Sequence, residues 1–176
     1  MVRSPLQQLL EFDRRYRDRA VALPAQQKNR EYWSGIGFRL GRQYYIAPMG
    51  EVAEVLPEPR FTLLPGVKSW VMGVANVRGR LLPVMDLGAF LELEPQDSRK
   101  TRRVMVLEYQ SLFAGLVVDE VLGMQHFEVD SFDEAVGEIP DSVRPYVHGT
   151  FHGERDWVVF SPHVLAEDQG FLDVVA

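Results

Sequence analysis

Hydrophobic residues at every second position, punctuated by glycine, restrict this chain to a small antiparallel β-architecture. From Tyr32 onward Ile36, Phe38 and Leu40 alternate with Gly37 and Arg39, and Gly41-Arg42 then leads into Tyr44 and Ile46. A period of two broken by a glycine turn is the pattern of a β-hairpin. It recurs three times: Val71 to Val77 and Arg80 to Val84 flank Arg78-Gly79, Arg103 to Leu107 precedes Phe113 to Val118, and Val147 to Phe151 precedes Trp157 to Phe160. Short strands with marked turns and few helices predict small barrels or a sandwich. Val104-Met105-Val106-Leu107 and Leu116-Val117-Val118 are apolar at consecutive positions. Such runs fit strands covered on both faces, where two sheets or barrels abut.

The first thirty residues differ. They carry seven basic and three acidic groups, net +4, whereas the whole chain of 176 residues is net −6, so residues 31–176 carry −10. Ser4, Pro5 and Gln7 form a helix start, with a capping hydroxyl, a proline at the first helical position and a capping-box partner. A helix over Pro5–Arg19 follows, with Leu6, Leu9 and Leu10 at i, i+3 and i+4, and Val21 to Arg30 reads as a linker. The expected division is therefore 1–30, a basic amphipathic helix and linker, and 31–176, one β-domain. Glu128 to Tyr146 holds six carboxylates and one arginine, and is either a helix-containing excursion or a surface loop. Ser161-Pro162 is again a cap and first helical residue, predicting a short helix over Pro162–Glu167.

Composition narrows the chemistry. An acidic net charge is the wrong sign for a protein whose affinity comes from neutralising phosphates, so nucleic acid is not the expected partner. Zero cysteines remove disulfides, thiolate zinc sites, iron–sulfur clusters and a cysteine nucleophile together. No run approaches the ~18 apolar residues of a membrane span. Gly35, Gly37 and Gly41 interrupt a strand with no helix behind them, which is not a dinucleotide loop. His148 and His152, four apart in a strand and its turn, would lie about 13 Å from one another, too far for one metal ion. Glu51 with Glu54, and Asp119 with Glu120, are the candidate carboxylate pairs; adjacent strand residues face opposite sides, so the second pair does not converge on a substrate. The reading is of a protein without enzymatic activity, metal or cofactor.

One segment stands out, Gly73-Val74-Ala75-Asn76-Val77-Arg78-Gly79-Arg80-Leu81-Leu82-Pro83-Val84-Met85-Asp86-Leu87. Asn76 and Gly79 suit a turn, with Arg78 at its tip. The segment resembles the hairpin of the CheW family, the coupling proteins of bacterial chemotaxis, which reads G-x-x-N-x-R-G followed by P and D-L. Phe38-Arg39-Leu40-Gly41, Glu51-Val52-Ala53-Glu54-Val55-Leu56, Leu64-Pro65-Gly66 and Val118-Asp119-Glu120-Val121 follow the family in order, and the resemblance spans Trp33 to Ala166. Trp33 to Phe38, the Pro24-to-Arg30 linker and the His126 and His148 segments resemble the version that serves type IV pilus twitching motility.

The resemblance implies a mainly all-β fold of two intertwined five-stranded SH3-like barrels, here with an N-terminal helix and a short C-terminal helix. It implies a cytoplasmic adaptor, recruited to membrane receptor arrays, that joins the cytoplasmic tip of a chemoreceptor to the regulatory domain of a histidine kinase. It also implies a receptor-binding groove edged by Glu54 and Arg78 and floored by Val52 and Val104. An arginine–carboxylate pair at a groove edge orients a partner while apolar floor residues supply affinity. A kinase regulatory domain shares the fold; the chain's own start and terminal helix are expected to belong to a free-standing coupling protein. The alternative function is a small β-barrel that binds a soluble ligand directly. The N-terminal helix is outside the shared domain, and its apolar stripe predicts packing on the body.

Overall fold

The computed structural model describes Leu10 and residues 30–95 and 98–176. The expected helix and linker of residues 1–30 fall outside the described residues, except for Leu10 and Arg30. Eleven strands follow: β1 (Tyr32–Leu40), β2 (Gln43–Pro48), β3 (Glu54–Pro57), β4 (Val71–Val77), β5 (Arg80–Asp86), β6 (Arg103–Tyr109), β7 (Leu112–Val118), β8 (Glu120–Glu128), β9 (Phe132–Asp133), β10 (Val147–Phe151) and β11 (Trp157–Phe160). Among residues 30–95 and 98–176 the short helices are α1 (Leu87–Phe90), α2 (Pro162–Ala166) and α3 (Gln169–Leu172).

All four expected hairpins form, each pairing antiparallel. The strands assemble into a six-stranded sheet of order β8-β1-β2-β11-β10-β9 and a five-stranded sheet of order β3-β6-β7-β5-β4. The first is made from both ends of the β-region and the second from its middle, and parallel pairs β2 with β11 and β5 with β7 let the chain leave and return. The first sheet exceeds the expected five strands because the acidic stretch contributes β9, two residues paired with β10. That stretch is otherwise a surface excursion with 3₁₀ turns at Val129–Ser131 and Arg144–Tyr146. It is pinned to the end of α1 by Ser142 Oγ, which donates to the Leu91 carbonyl at 2.6 Å.

Three apolar clusters explain the consecutive hydrophobic runs. Val104, Val106 and Val117 pack inside the second sheet with Ala75, Leu82 and Val84. Met105, Leu107, Leu116 and Val118, on the opposite faces of the same strands, enter the large core between the sheets with Phe38, Tyr45 and Phe160. Both faces of β6 and β7 are thus covered, and each fully buried aliphatic side chain there contributes about 1.5–3 kcal/mol. The third cluster is aromatic and lies within the first sheet: Trp33, Ile46, Phe151, Trp157 and Val159. Gly37 is needed there, because a Cβ would come within 2.7 Å of the Trp157 ring. α2 starts where the sequence places it, with Ser161 Oγ accepting from the Val164 amide at 3.2 Å.

Candidate functional site

The β4–β5 connection is a two-residue turn: Val77 pairs with Arg80, and both residues between have positive φ, Arg78 at +52° and Gly79 at +81°. That is a type I′ geometry, whose twist matches the flanking strands. Asn76 Oδ1 accepts from the Gly79 amide at 2.9 Å and fixes the turn. Glycine and asparagine enter the left-handed region easily and other side chains at a cost of about 1 kcal/mol, so an arginine at its first position is an unusual choice. Its guanidinium stands 71% exposed and makes a two-pronged bond to Glu54, Nη1 donating to Oε2 at 3.1 Å and Nη2 to Oε1. The pair reaches from the tip of the β4–β5 hairpin to β3, and β3 and β4 are the two edges of the five-stranded sheet.

Neighbouring side chains extend this rim. The Arg80 guanidinium lies 3.8 Å from the centre of the Phe113 ring and pairs with Glu108 at 3.3 Å. Leu81, one residue past Arg80, is 69% exposed, and Val55, beside Glu54, faces outward. The sequence alternation marks Val55 as outward once Glu54 and Leu56 are known to face the other way, but nothing local to Leu81 announces its exposure. Val52 is half-buried against the core between the sheets. Val104 is placed differently from a groove floor: it has no exposed surface and packs within the second sheet, where a Cβ on Gly115 would meet it at 2.6 Å. It supports the β3 side from beneath through its pairing with Leu56. The structure therefore brings Glu54 and Arg78 into contact, puts Val52 near the surface and buries Val104.

The carboxylates weighed for catalysis are engaged separately. Asp119 Oδ2 accepts from the Gly41 amide at 2.6 Å, closing the first hairpin, while Glu120 pairs with Arg39 at 3.2 Å. Glu51 ends a 3₁₀ turn, Met49–Glu51, and is 5% exposed. Ser161 Oγ lies 2.9 and 3.0 Å from its two oxygens, and His163 Nδ1 is 3.5 Å from Oε1. Burial pushes its carboxyl up to about 7, against the opposing pull of Ser161 and the His163 backbone amide. Burial also lowers His163, whose ring stacks on Tyr109 at 4.2 Å. Sequence inspection alone had no signal for this contact, whose partners lie 110 residues apart. His152 is held between Asp156 at 2.8 Å and Asp133 at 3.3 Å, which raises it, and His148 lies apart in β10, lowered by burial. Among the described residues no group of three or more histidines and carboxylates is arranged to hold a metal ion.

Two curled sheets share one large core, and a polar clasp at Glu54 and Arg78 is displayed at the edge of the second. The chain belongs to the CheW-like domain family, whose profile matches residues 34–169. It is 59% identical over 173 residues to Protein PilI of Pseudomonas aeruginosa, covering 98% of this chain and 97% of that protein. It is 26% identical over 122 residues to chemotaxis protein CheW of Helicobacter pylori, covering 68% and 74% of the two chains. In fold it is similar to the crystal structure of the scaffolding protein TtCheW from Thermoanaerobacter tengcongensis, with a TM-score of 0.68 at 24% identity, covering 80% of this chain and 96% of that one. The double-barrel architecture expected from the sequence is the one found.

Proposed function

We propose that this chain is a non-enzymatic adaptor that couples the cytoplasmic tip of a transmembrane chemoreceptor to the regulatory domain of a histidine kinase, in a chemotaxis-like pathway controlling type IV pilus twitching motility. The observation that carries this reading is the Glu54–Arg78 clasp: an exposed ion pair built on a turn whose first position disfavours arginine. Backbone strain retained at an exposed site points to a use for that side chain. In the proposed site Glu54 and Arg78 orient a receptor helix, Val52 and the exposed Leu81 supply apolar contact, and Val104 holds β3 in place from below. The pilus assignment draws on the Trp33–Phe38 opening, the His126 and His148 segments and the extensive identity with PilI. The proposed workplace is the cytoplasm at receptor arrays; no helix among the described residues is long and apolar enough to cross a membrane.

Bridging requires that two surfaces be occupied together, since a scaffold acts through effective concentration and differential affinity for receptor states. Size-exclusion chromatography of the purified chain with a receptor cytoplasmic fragment and a kinase regulatory domain tests this. A ternary complex is expected, with receptor binding lost in Arg78→Ala while the thermal melt stays near that of the parent. Full displacement of the kinase domain by saturating receptor fragment would overturn the bridge, and unchanged receptor binding by Arg78→Ala would remove that residue from the site.

A further inference from the structure

We propose that the basic N-terminal segment, residues 1–29, is an internal ligand of the first barrel, seating its leucine stripe in an aromatic groove beside β8 and held by the groove's acidic rim. The groove measures about 650 Å3 and lies between β8 and the β10–β11 turn, with Leu122, Phe127 and Trp157 on its apolar side and Glu128, Glu154 and Arg155 on its polar side. Its floor is the open end of the aromatic cluster: Phe127 stacks on Phe151 at 4.8 Å and meets Trp157 edge-on at 6.1 Å.

Four observations select this occupant. The chain enters β1 at the rim of the groove, where Arg30 Nη1 donates to Glu128 Oε1 at 2.7 Å and the Val129 amide donates to the Glu31 carbonyl at 2.9 Å. A segment tethered there has a millimolar effective concentration for a site beside its anchor. The charges are complementary: residues 1–30 are net +4, while the groove itself carries Glu128 and Glu154 against Arg155, and the chain from 128 to 156 that supplies most of its polar side holds eight carboxylates against two arginines. The leucine spacing suits a groove as well. Leu6, Leu9 and Leu10 cover about 6 Å of helix axis, a short i, i+3, i+4 anchor of the kind that fills a groove. A helix of some fifteen residues is also marginal in water without a surface to pack on. Finally, the segment is shared with PilI, whose alignment takes in 98% of this chain, whereas the CheW-like profile begins only at residue 34. The extension is thus shared with that relative and lies outside the general fold.

The cysteine-free sequence permits clean double labelling of the full chain. Spin labels on Gln8→Cys and Gly153→Cys should report one population within about 20 Å, roughly two helix diameters, unchanged when labelled protein is diluted with unlabelled. Gln125→Cys serves as a second anchor should the glycine substitution disturb the turn. Adding Glu128→Lys and Glu154→Lys should shift most of the population to longer, broader distances, while Glu92→Lys, outside the groove, should leave it in place. A long, broad distribution in the parent would overturn the proposal. So would a short distance that disappears on dilution, which would give the groove to a second copy, or one indifferent to the rim reversals, which would leave the acidic rim without a role.

Discussion

Glu51 and Glu54 stand three residues apart on one connection and meet opposite environments. Glu54 is a third exposed and clasped by Arg78, a cation that is itself mostly in water. Glu51 is buried against Ser161 and His163, a histidine whose charged form burial disfavours, with no arginine or lysine paired to it among the described residues. The first is a surface pair of the kind that adds under about 1 kcal/mol to stability and remains free to act on a partner. The second is a carboxyl in a dry setting, where the charged form is penalised and the protonated form persists toward neutral pH. One turn of chain thus joins the displayed rim to a proton-sensitive contact between the β2–β3 connection and the cap of α2.

The largest break of that contrast is Glu51→Gln. The folded carboxyl titrates at about 7 against an ordinary value of 4.5, so the native state binds the extra proton between those limits. Its stabilising contribution is fully present below about pH 4.5, falls as pH rises through about 7 and is gone above it. The glutamine keeps the shape without the charge, and should raise stability at pH 8 by up to about 3 kcal/mol while leaving it nearly unchanged at pH 4. Denaturant melts across this range check it; a parent protein whose stability is flat from pH 5 to 8 would refute the buried charge.

A second test separates support from display. Val104→Ala empties fully buried volume beneath β3 and should cost about 2 kcal/mol. Val52→Ala, at a half-buried position, should cost under about 1 kcal/mol yet weaken receptor binding more. Paired melts and receptor titrations distinguish the two, and equal stability losses with equal binding losses would erase the difference.

The hairpins were legible in the sequence because alternation and two-residue turns are local: Val71 to Asp86 declares its strands and its turn within one short stretch. β3 and β8 were not. Glu54–Pro57 is a four-residue edge strand ending in proline, and Glu120–Glu128 is half polar and interrupted by Gly123, so only its pairing with β1, far away in sequence, makes it a strand. The same distinction holds at the site. Arg78 at a turn tip could be read from Asn76 and Gly79, but its partnership with Glu54 came from resemblance, because no spacing predicts which edge strand faces a hairpin tip. Val104 was not legible for the complementary reason: an apolar residue in a doubly covered strand gives no sign of which face it occupies, and the structure buries it within the second sheet.

The smallest expected effect on stability is the most informative about the exposed half of the comparison. Arg78 occupies the left-handed region, where asparagine is at ease, so Arg78→Asn relieves about 1 kcal/mol of backbone cost and forfeits a surface ion pair worth less than that. The net result should be a free protein as stable as the parent or slightly more so, by up to about 0.5 kcal/mol. A structural ion pair would give the reverse, a loss. Receptor binding should move the other way and fall, because a partner that covers the clasp removes water from it and strengthens a charge pair that solvent had weakened. A double-mutant cycle with Glu54→Gln makes the argument quantitative. Coupling between the two positions should be under about 1 kcal/mol in the unbound melt and larger in the binding free energy. Additive losses in binding would mean that Glu54 and Arg78 touch the receptor independently or not at all, and the strained arginine would then have no account in the clasp.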